Sequence, residues 1–364
     1  MSSDAAVAKE STGTRPPALA VIINCFNYER YIQSAIQSVV SQNNRDCEVV
    51  VIDDGSTDGS WSIIQRSGVR AFRKENGGQV SACLLGLEKT TAPFVLFLDA
   101  DDQLLPGSLD TIVNTLDSGI SKIQFQLVRI NETGAVIAPA FPVFPAGRER
   151  DKFQAHVNKS GTYVSPPTSG NVFRRDVCTL LRHASYDTAV DGVILTAAPF
   201  FGDIVSLNRP LGCYRIHGKN KSGVQNGLSL ALLEKHKRRF SDRVTHLKSV
   251  LRQNNLDDRV EEPQSMYFYN INQINQDIIL GKRVPFRTAV DAIRQLPSWY
   301  SPLRRTATAV AILIAPALPN AINVRFINSW RFVIARLISS FASVQALTVG
   351  QRSPPRSPVH GSPR

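Results

Sequence analysis

Along the first half of the chain, short unbroken apolar runs alternate with stretches whose apolar residues recur every three or four positions. The first kind reads as buried strand and the second as amphipathic helix. Leu19–Asn24 is the first strand; Tyr31, Ile32, Ala35, Ile36, Val39 and Val40 then share one helical face. Glu48–Ile52 is the second strand, followed by the turn Gly55-Ser56-Thr57-Asp58-Gly59 and a helix opened by Trp61, Ile63 and Ile64. Val69–Phe72 predicts a short strand, Val80–Leu87 a helix entered through Gly77-Gly78, and Pro93–Leu98 another strand. This alternation predicts a parallel sheet covered by helices on both faces. Further on, Leu109–Leu116 reads as helix, and Lys122–Ile130 with Ala135–Ile137 as a hairpin turned by Asn131-Glu132-Thr133-Gly134. Residues 139–161 read as loop, and a structured block runs from Gly170 to the region of Gly218.

From Leu228 the pattern is helical, with segments at Leu228–Asn254, Gln264–Leu280 and Thr288–Leu296. Thr308–Pro316 is apolar but too short to span a bilayer, and Pro316 and Pro319 interrupt it. Phe326–Phe341 is the clearest amphipathic helix, with Phe326, Trp330, Val333, Ile334, Leu337, Ile338 and Phe341 on one side and Arg325, Arg331 and Arg336 away from it. The expected organisation is a polar, disordered 1–17, an α/β domain over 18–225, a helical extension over 226–300, a basic amphipathic segment over 301–345 and a disordered Pro/Ser/Arg tail over 346–364.

Composition narrows the setting. A length of 364 residues at 43% hydrophobic content fits a globular protein of one or two domains. Five scattered cysteines without CxxC spacing argue against a disulfide framework or a zinc site and fit a reducing compartment. Met1–Pro17 lacks the apolar core of a signal peptide, and no apolar run reaches the length of a spanning helix. A cytoplasmic protein is expected. Residues 1–225 hold 22 basic and 22 acidic side chains, whereas 226–364 hold 20 and 8, the whole of the net charge of +12. A basic end on a neutral body points to an anionic surface as partner, or serves only as a solubilising tail. No nucleic-acid-binding motif accompanies it.

Candidate chemistry lies at two strand ends. Asp53-Asp54-Gly55-Ser56 follows the second strand, and Asp99-Ala100-Asp101-Asp102 follows the run Phe94–Leu98. Strand ends at the rim of an open α/β sheet are where such folds bind ligands. Asp-Gly-Ser is also ordinary turn chemistry. Three acids in four residues repel one another unless solvated or bound to a cation, and hard oxygen ligands suit Mg²⁺ or Mn²⁺.

Five motifs follow one another along the chain: Val21-Ile22-Ile23-Asn24-Cys25-Phe26-Asn27-Tyr28, Val51-Ile52-Asp53-Asp54-Gly55-Ser56-Thr57-Asp58, Asn76-Gly77-Gly78-Gln79-Val80-Ser81-Ala82, Asp99-Ala100-Asp101-Asp102 and Pro210-Leu211-Gly212-Cys213-Tyr214-Arg215-Ile216-His217-Gly218. Their order resembles family-2 glycosyltransferases of GT-A fold, over roughly residues 18–222. This resemblance implies a Rossmann-like α/β fold, a mixed sheet with helices on both faces, here followed by a C-terminal α-helical extension. It also implies inverting transfer of a sugar from a nucleotide-diphosphate donor to a hydroxyl acceptor, such as a lipid-linked saccharide or a surface-polysaccharide intermediate.

The resemblance also implies roles. Asn24 and Asn27 would lie at the nucleotide-base end of the cleft, with Asp54 accepting a hydrogen bond from the base and Asp53 beside it. Asp99 would contact ribose or donor sugar. Asp101 would bind an Mg²⁺ or Mn²⁺ bridging the diphosphate, assisted or replaced by Asp102. His217 would be a further metal ligand or a packed histidine, and Arg215 a phosphate contact or a structural ion-pair partner. Asp191, with Asp187 as runner-up, would be the general base, or else a helix N-cap. Gly170-Asn171 resembles the acceptor-side loop.

Some features depart from the family pattern. The usual Pro or Thr near Asn24-Cys25 is missing, and Asp191 has neither a preceding acid nor a following aromatic residue. The Gln-x-x-Arg-Trp mark of processive synthases is also missing, which implies one sugar per encounter. The basic C-terminal helices would either lie on an anionic membrane or pack on the protein. A GT-A scaffold without turnover is the competing expectation. A nucleotidyltransferase is disfavoured because no Gly-rich phosphate loop follows the first strand.

Overall fold

The computed structural model describes residues 16–184, 190–218, 229–297 and 300–314. Phe326–Phe341, both tails and Asp187 lie outside the described residues.

The α/β part opens with β1 (Leu19–Cys25), α1 (Ile32–Val40), β2 (Cys47–Asp53), α2 (Ser60–Arg66), β3 (Ala71–Arg73), α3 (Gln79–Glu88) and β4 (Phe94–Asp99). It continues through β5 (Gln103–Leu104), α4 (Ser108–Val113), β6 (Ile120–Ile130), β7 (Val136–Phe141), β8 (Gly147–Glu149), α5 (Asp151–Ser160), β9 (Asn171–Arg174), α6 (Arg175–Cys178), α7 (Asp191–Phe201) and β10 (Asp203–Arg215). One sheet takes the order β3-β2-β1-β4-β9-β6-β10-β5, with β7 on β6 and β8 on β10. β1 to β4 pair in parallel, while β9 runs antiparallel between β4 and β6, so the sheet is mixed.

Alternation along β1 makes the two layers. Leu19, Val21, Ile23 and Cys25 pack with Ile32, Ala35, Ile36 and Val39 of α1 and with Ile64, Leu109 and Ile112. Ala20 and Ile22 face the other way, toward Ala82, Cys83 and Leu87 of α3 and toward α6 and α7. A strand buried on both faces reads as a continuous apolar run, and this one does.

Two expectations change. The strand expected at Val69–Phe72 lies at Ala71–Arg73, because Gly68 first completes a left-handed turn at φ 70°. The expected loop over 139–161 contains the end of β7, β8 and all of α5. α5 hides Val157 and half-buries Phe153 on an otherwise polar surface, too few apolar positions for periodicity to register.

The extension consists of α8 (Leu230–Gln253), α9 (Tyr267–Ile279), α10 (Phe286–Arg294) and α11 (Pro302–Ile314). α8 docks on the α/β part through Phe240, Val244, Leu247 and Leu251, which meet Val157, Tyr163, Leu195 and Phe200. A separate cluster joins α9, α10 and α11 through Ile274, Ile278, Ala289, Ala292 and Ile312.

Candidate functional site

Register brings the two acidic motifs together. Cys25 lies opposite Asp53, and Asn24 opposite Asp99, so β1, β2 and β4 end at one level on the sheet's C-terminal edge.

At the β2 end the acids are neutralised by the protein. Asp53 is fully buried and pairs with Arg73 at 3.0 Å, while the Ser56 N–H donates to it at 3.2 Å. Asp54 accepts from Lys74 Nζ at 2.9 Å and from the N–H groups of Gly77 and Gly78 at 3.0 and 2.7 Å. Gly55 has φ 77°, and a Cβ there would come within 2.8 Å of Asn76 N, so the turn demands glycine. Asn27, itself left-handed at φ 60°, staples this turn to β1. Its Oδ1 accepts from Thr57 N at 2.8 Å and its N–H donates to Ser56 Oγ at 2.9 Å. Beside these residues opens a cleft of about 470 Å³ lined by Gly55, Arg73, Lys74, Glu75 and Asn76.

At the β4 end, carboxylate oxygens of Asp99, Asp101 and Asp102 converge within 4.8 Å. Asp99 Oδ1 accepts from Gln79 Nε2 at 2.7 Å and Asn24 Nδ2 at 3.3 Å. Asp101 Oδ2 lies 2.8 Å from His217 Nε2. Both oxygens of Asp102 are engaged, Oδ2 by Ser169 Oγ at 2.6 Å and Oδ1 by Arg215 N at 2.9 Å. Burial, and then the charges of Asp101 and Asp99, push the Asp102 carboxyl well above its ordinary pKa. The same causes in the same order raise the phenol of Tyr28 beside them.

Arg215 is turned inward. Its guanidinium donates to the carbonyls of Asp101, Asn131 and Glu132 and stacks 4.8 Å from the Tyr31 ring centroid. His217 is buried between Tyr28 and Tyr31. The backbone of Asp191 opens α7; its side chain and Asp187 lie outside what is described.

The donor set fits a divalent cation. Carboxylate oxygens converge, the Tyr28 and His217 rings crowd the same point, and Asn24 Oδ1 is buried without a hydrogen-bond partner. Sequence reasoning missed Lys74, Gln79 and Ser169 as members of the site. Gln79 stood in a quoted motif, whereas Ser169 lies 67 residues beyond Asp102 and only the packing of β9 against β4 brings it close.

Taken together, a mixed sheet covered on both faces and acids gathered at its C-terminal edge define a GT-A fold of the glycosyltransferase class. The fold likeness is to S. aureus TarS 1-349 in complex with UDP-GlcNAc, with a TM-score of 0.50 at 16% identity over 86% of this chain and 91% of that one. Residues 20–178 match the model of glycosyl transferase family 2. It is 33% identical over 212 residues to an uncharacterized glycosyltransferase of Nostoc sp., covering 56% of this chain and 66% of the relative. It is 32% identical over 114 residues to the GalNAc(5)-diNAcBac-PP-undecaprenol beta-1,3-glucosyltransferase of Campylobacter jejuni, covering 29% of this chain and 37% of that one. The chain thus spans less than two thirds of the length of these curated relatives.

Proposed function

We propose that this chain transfers one sugar from a nucleotide-diphosphate donor to a hydroxyl of a saccharide acceptor, with inversion. The observation that carries this reading is the convergence of Asp99, Asp101 and Asp102 within 4.8 Å beside the Asp54 cleft. The nucleobase lies toward Asp54 and Asn76, with Asn24 and Asn27 shaping that end. Asp99, Asp101 and Asp102 would hold the cation, with His217 orienting Asp101, while Asp53 and Arg215 brace the loops. Bound there, Mg²⁺ or Mn²⁺ neutralises charge on the departing diphosphate. Asp191 takes the proton from the acceptor hydroxyl as its oxygen bonds the anomeric carbon and the bond to the diphosphate breaks.

The acceptor is a lipid-linked saccharide met at an anionic membrane surface. The Campylobacter relative's name, with its undecaprenol diphosphate, supports this. No described helix is long and apolar enough to cross a membrane; the contact we propose is peripheral. From the end of α9 into the first turn of α10, Leu280 and Phe286 are exposed (47% and 65%) among Lys282, Arg283 and Arg287. Such a mixture suits the headgroup region of an anionic bilayer. Deleting 320–364 is expected to weaken sedimentation with vesicles of anionic lipid and Phe286→Asp to weaken it further; full-length protein that does not sediment with such vesicles would remove the membrane from the reading.

The donor site is tested by thermal shift with UDP, GDP, dTDP and CMP, with and without Mn²⁺, on wild type and Asp101→Ala. One nucleotide is expected to stabilise the wild type more with Mn²⁺ than without, and to lose that gain in the variant. No shift with any nucleotide, from folded protein, would sink the reading in favour of a scaffold without turnover.

A further inference from the structure

β6 is a central strand with one unusual face. Ile123, Phe125 and Leu127 enter the main core, while Lys122, Gln124 and Gln126 point the opposite way and are 0%, 1% and 8% exposed. A fully buried lysine is costly unless its ammonium is well hydrogen-bonded, and a Met or Leu would pack more cheaply between the same rings. Lys122 Nζ donates to Gln124 Oε1 at 2.8 Å and Ser165 Oγ at 2.9 Å, and sits 4.8 Å from the Tyr163 ring centroid.

From Lys122 hydrogen bonds lead into the 165–171 loop, whose backbone carries Ser169 to the acids. The Ser165 hydroxyl donates to Asn171 Oδ1 at 3.0 Å. Asn171 Nδ2 donates to the carbonyls of Pro166 and Pro167 at 3.1 and 2.9 Å, closing the loop on itself. A Cβ at Gly170 would meet Pro166 Cβ at 2.6 Å, so the closure leaves no room for a side chain. The loop thus holds the 3-10 turn Thr168–Gly170 in place, and Ser169, fully buried, bridges two acids. Its hydroxyl donates to Asp102 Oδ2 at 2.6 Å and accepts from the Asp99 N–H at 3.1 Å.

We propose that Lys122, Ser165, Asn171 and Ser169 form a positioning relay that sets the geometry of the cation-binding acids from beneath, without touching cation or substrate. The inference rests on the cation reading of the Asp99–Asp102 cluster. Partners behind a metal ligand commonly set its orientation, and their loss costs about 10–100-fold in metal affinity. The buried lysine is explained as the fixed end of this relay.

The test is Mn²⁺ affinity, read from the electron paramagnetic resonance signal of free Mn²⁺, in the presence of whichever of UDP, GDP, dTDP and CMP shifts the wild type. The variants are Ser169→Ala and Ser165→Ala, each losing one hydroxyl and no packing volume to speak of, with Lys122→Met as the third. Ser169→Ala is expected to weaken Mn²⁺ about tenfold, and Ser165→Ala and Lys122→Met in the same direction by less, with nucleotide affinity measured without metal unchanged. A merely structural role lowers the melting temperature and leaves Mn²⁺ affinity within about twofold of wild type in both serine variants; that result overturns the relay. Equal weakening of nucleotide with and without Mn²⁺ overturns it too. Wild type that takes up no Mn²⁺ with any of the four defeats the cation reading itself, and the relay with it.

Discussion

Two sets of aspartates sit at adjacent strand ends, and the protein treats them oppositely. Asp53 and Asp54 are met by Arg73 and Lys74 at 3.0 and 2.9 Å, with backbone N–H groups filling in. Asp101 and Asp102 are met by an imidazole, a hydroxyl and one backbone N–H, and with Asp99 they bring three carboxylates within 4.8 Å. Buried charge must be compensated. The first set is compensated from within and so can shape a binding cleft in a fixed geometry. The second concentrates negative charge beyond what these neighbours offset, the condition under which a divalent cation binds and carboxylates do catalytic work. Acidity at a strand end is therefore a poor guide to role; the identity of the partners decides it.

The sharpest way to break this comparison is Asp101→Asn. Transfer is expected to fall roughly 10²–10³-fold, the scale seen when one electrostatic stabiliser of a transition state is removed. Stability without added cation is expected to rise, by about 1 kcal/mol, because a charge that opposes ionisation of the neighbouring Asp102 is gone. Sugar-transfer assays and chemical denaturation of the same preparation check both. A variant that loses activity and stability together would show that the second set is compensated like the first.

The opposite pattern is expected of Lys74→Met. Its side chain is 24% exposed and its partner's 4%, so removing the ammonium leaves a nearly buried carboxylate held by two N–H groups alone. The expected loss is about 1–3 kcal/mol in denaturant titrations. Nucleotide binding should weaken with it, since Gly77 and Gly78 close on the same carboxylate and Asn76 Nδ2 on the Asp54 carbonyl.

How much of this was legible in the sequence follows from the same contrast. The strands β1, β2 and β4 are continuous apolar runs, and their acidic ends were plain, because local pattern alone produces both. The compensation was not. Lys74 reaches Asp54 across 20 residues, Arg215 reaches the carbonyl of Asp101 across 114, and Ser169 reaches Asp102 across 67. Nothing local marks Arg215 as a residue that turns inward onto carbonyls; in the sequence it reads equally as a phosphate contact. α5 was missed for a related reason. Its buried face is set by Tyr163 and α8 packing around it, so its own pattern stays polar. Lys122 stood in the hairpin strand that was correctly read, and only its burial shows it to be unusual.

The finest test concerns how fully Arg73 offsets Asp53, and Cys25 reports on it. Cys25 pairs with Asp53 in the β1–β2 register, and its thiol is pushed up to about 12, first by burial and to a lesser degree by the Asp53 charge, against a hydrogen bond from Ser60. A thiol raised in the folded state binds its proton more tightly there. Its contribution to stability is therefore complete below the ordinary value of 9.0 and is lost as pH rises through about 12. At pH 8 the thiolate is scarce, and alkylation by iodoacetamide should be slow. Asp53→Asn removes the lesser push and leaves burial, so the alkylation rate of Cys25, followed by mass spectrometry on folded protein, should rise only about two- to fivefold. A rise of about a hundredfold would mean that Arg73 leaves most of the Asp53 charge standing. The two sets of aspartates would then differ in degree of compensation, and the cleft beside Asp54 would itself become a candidate for a bound cation.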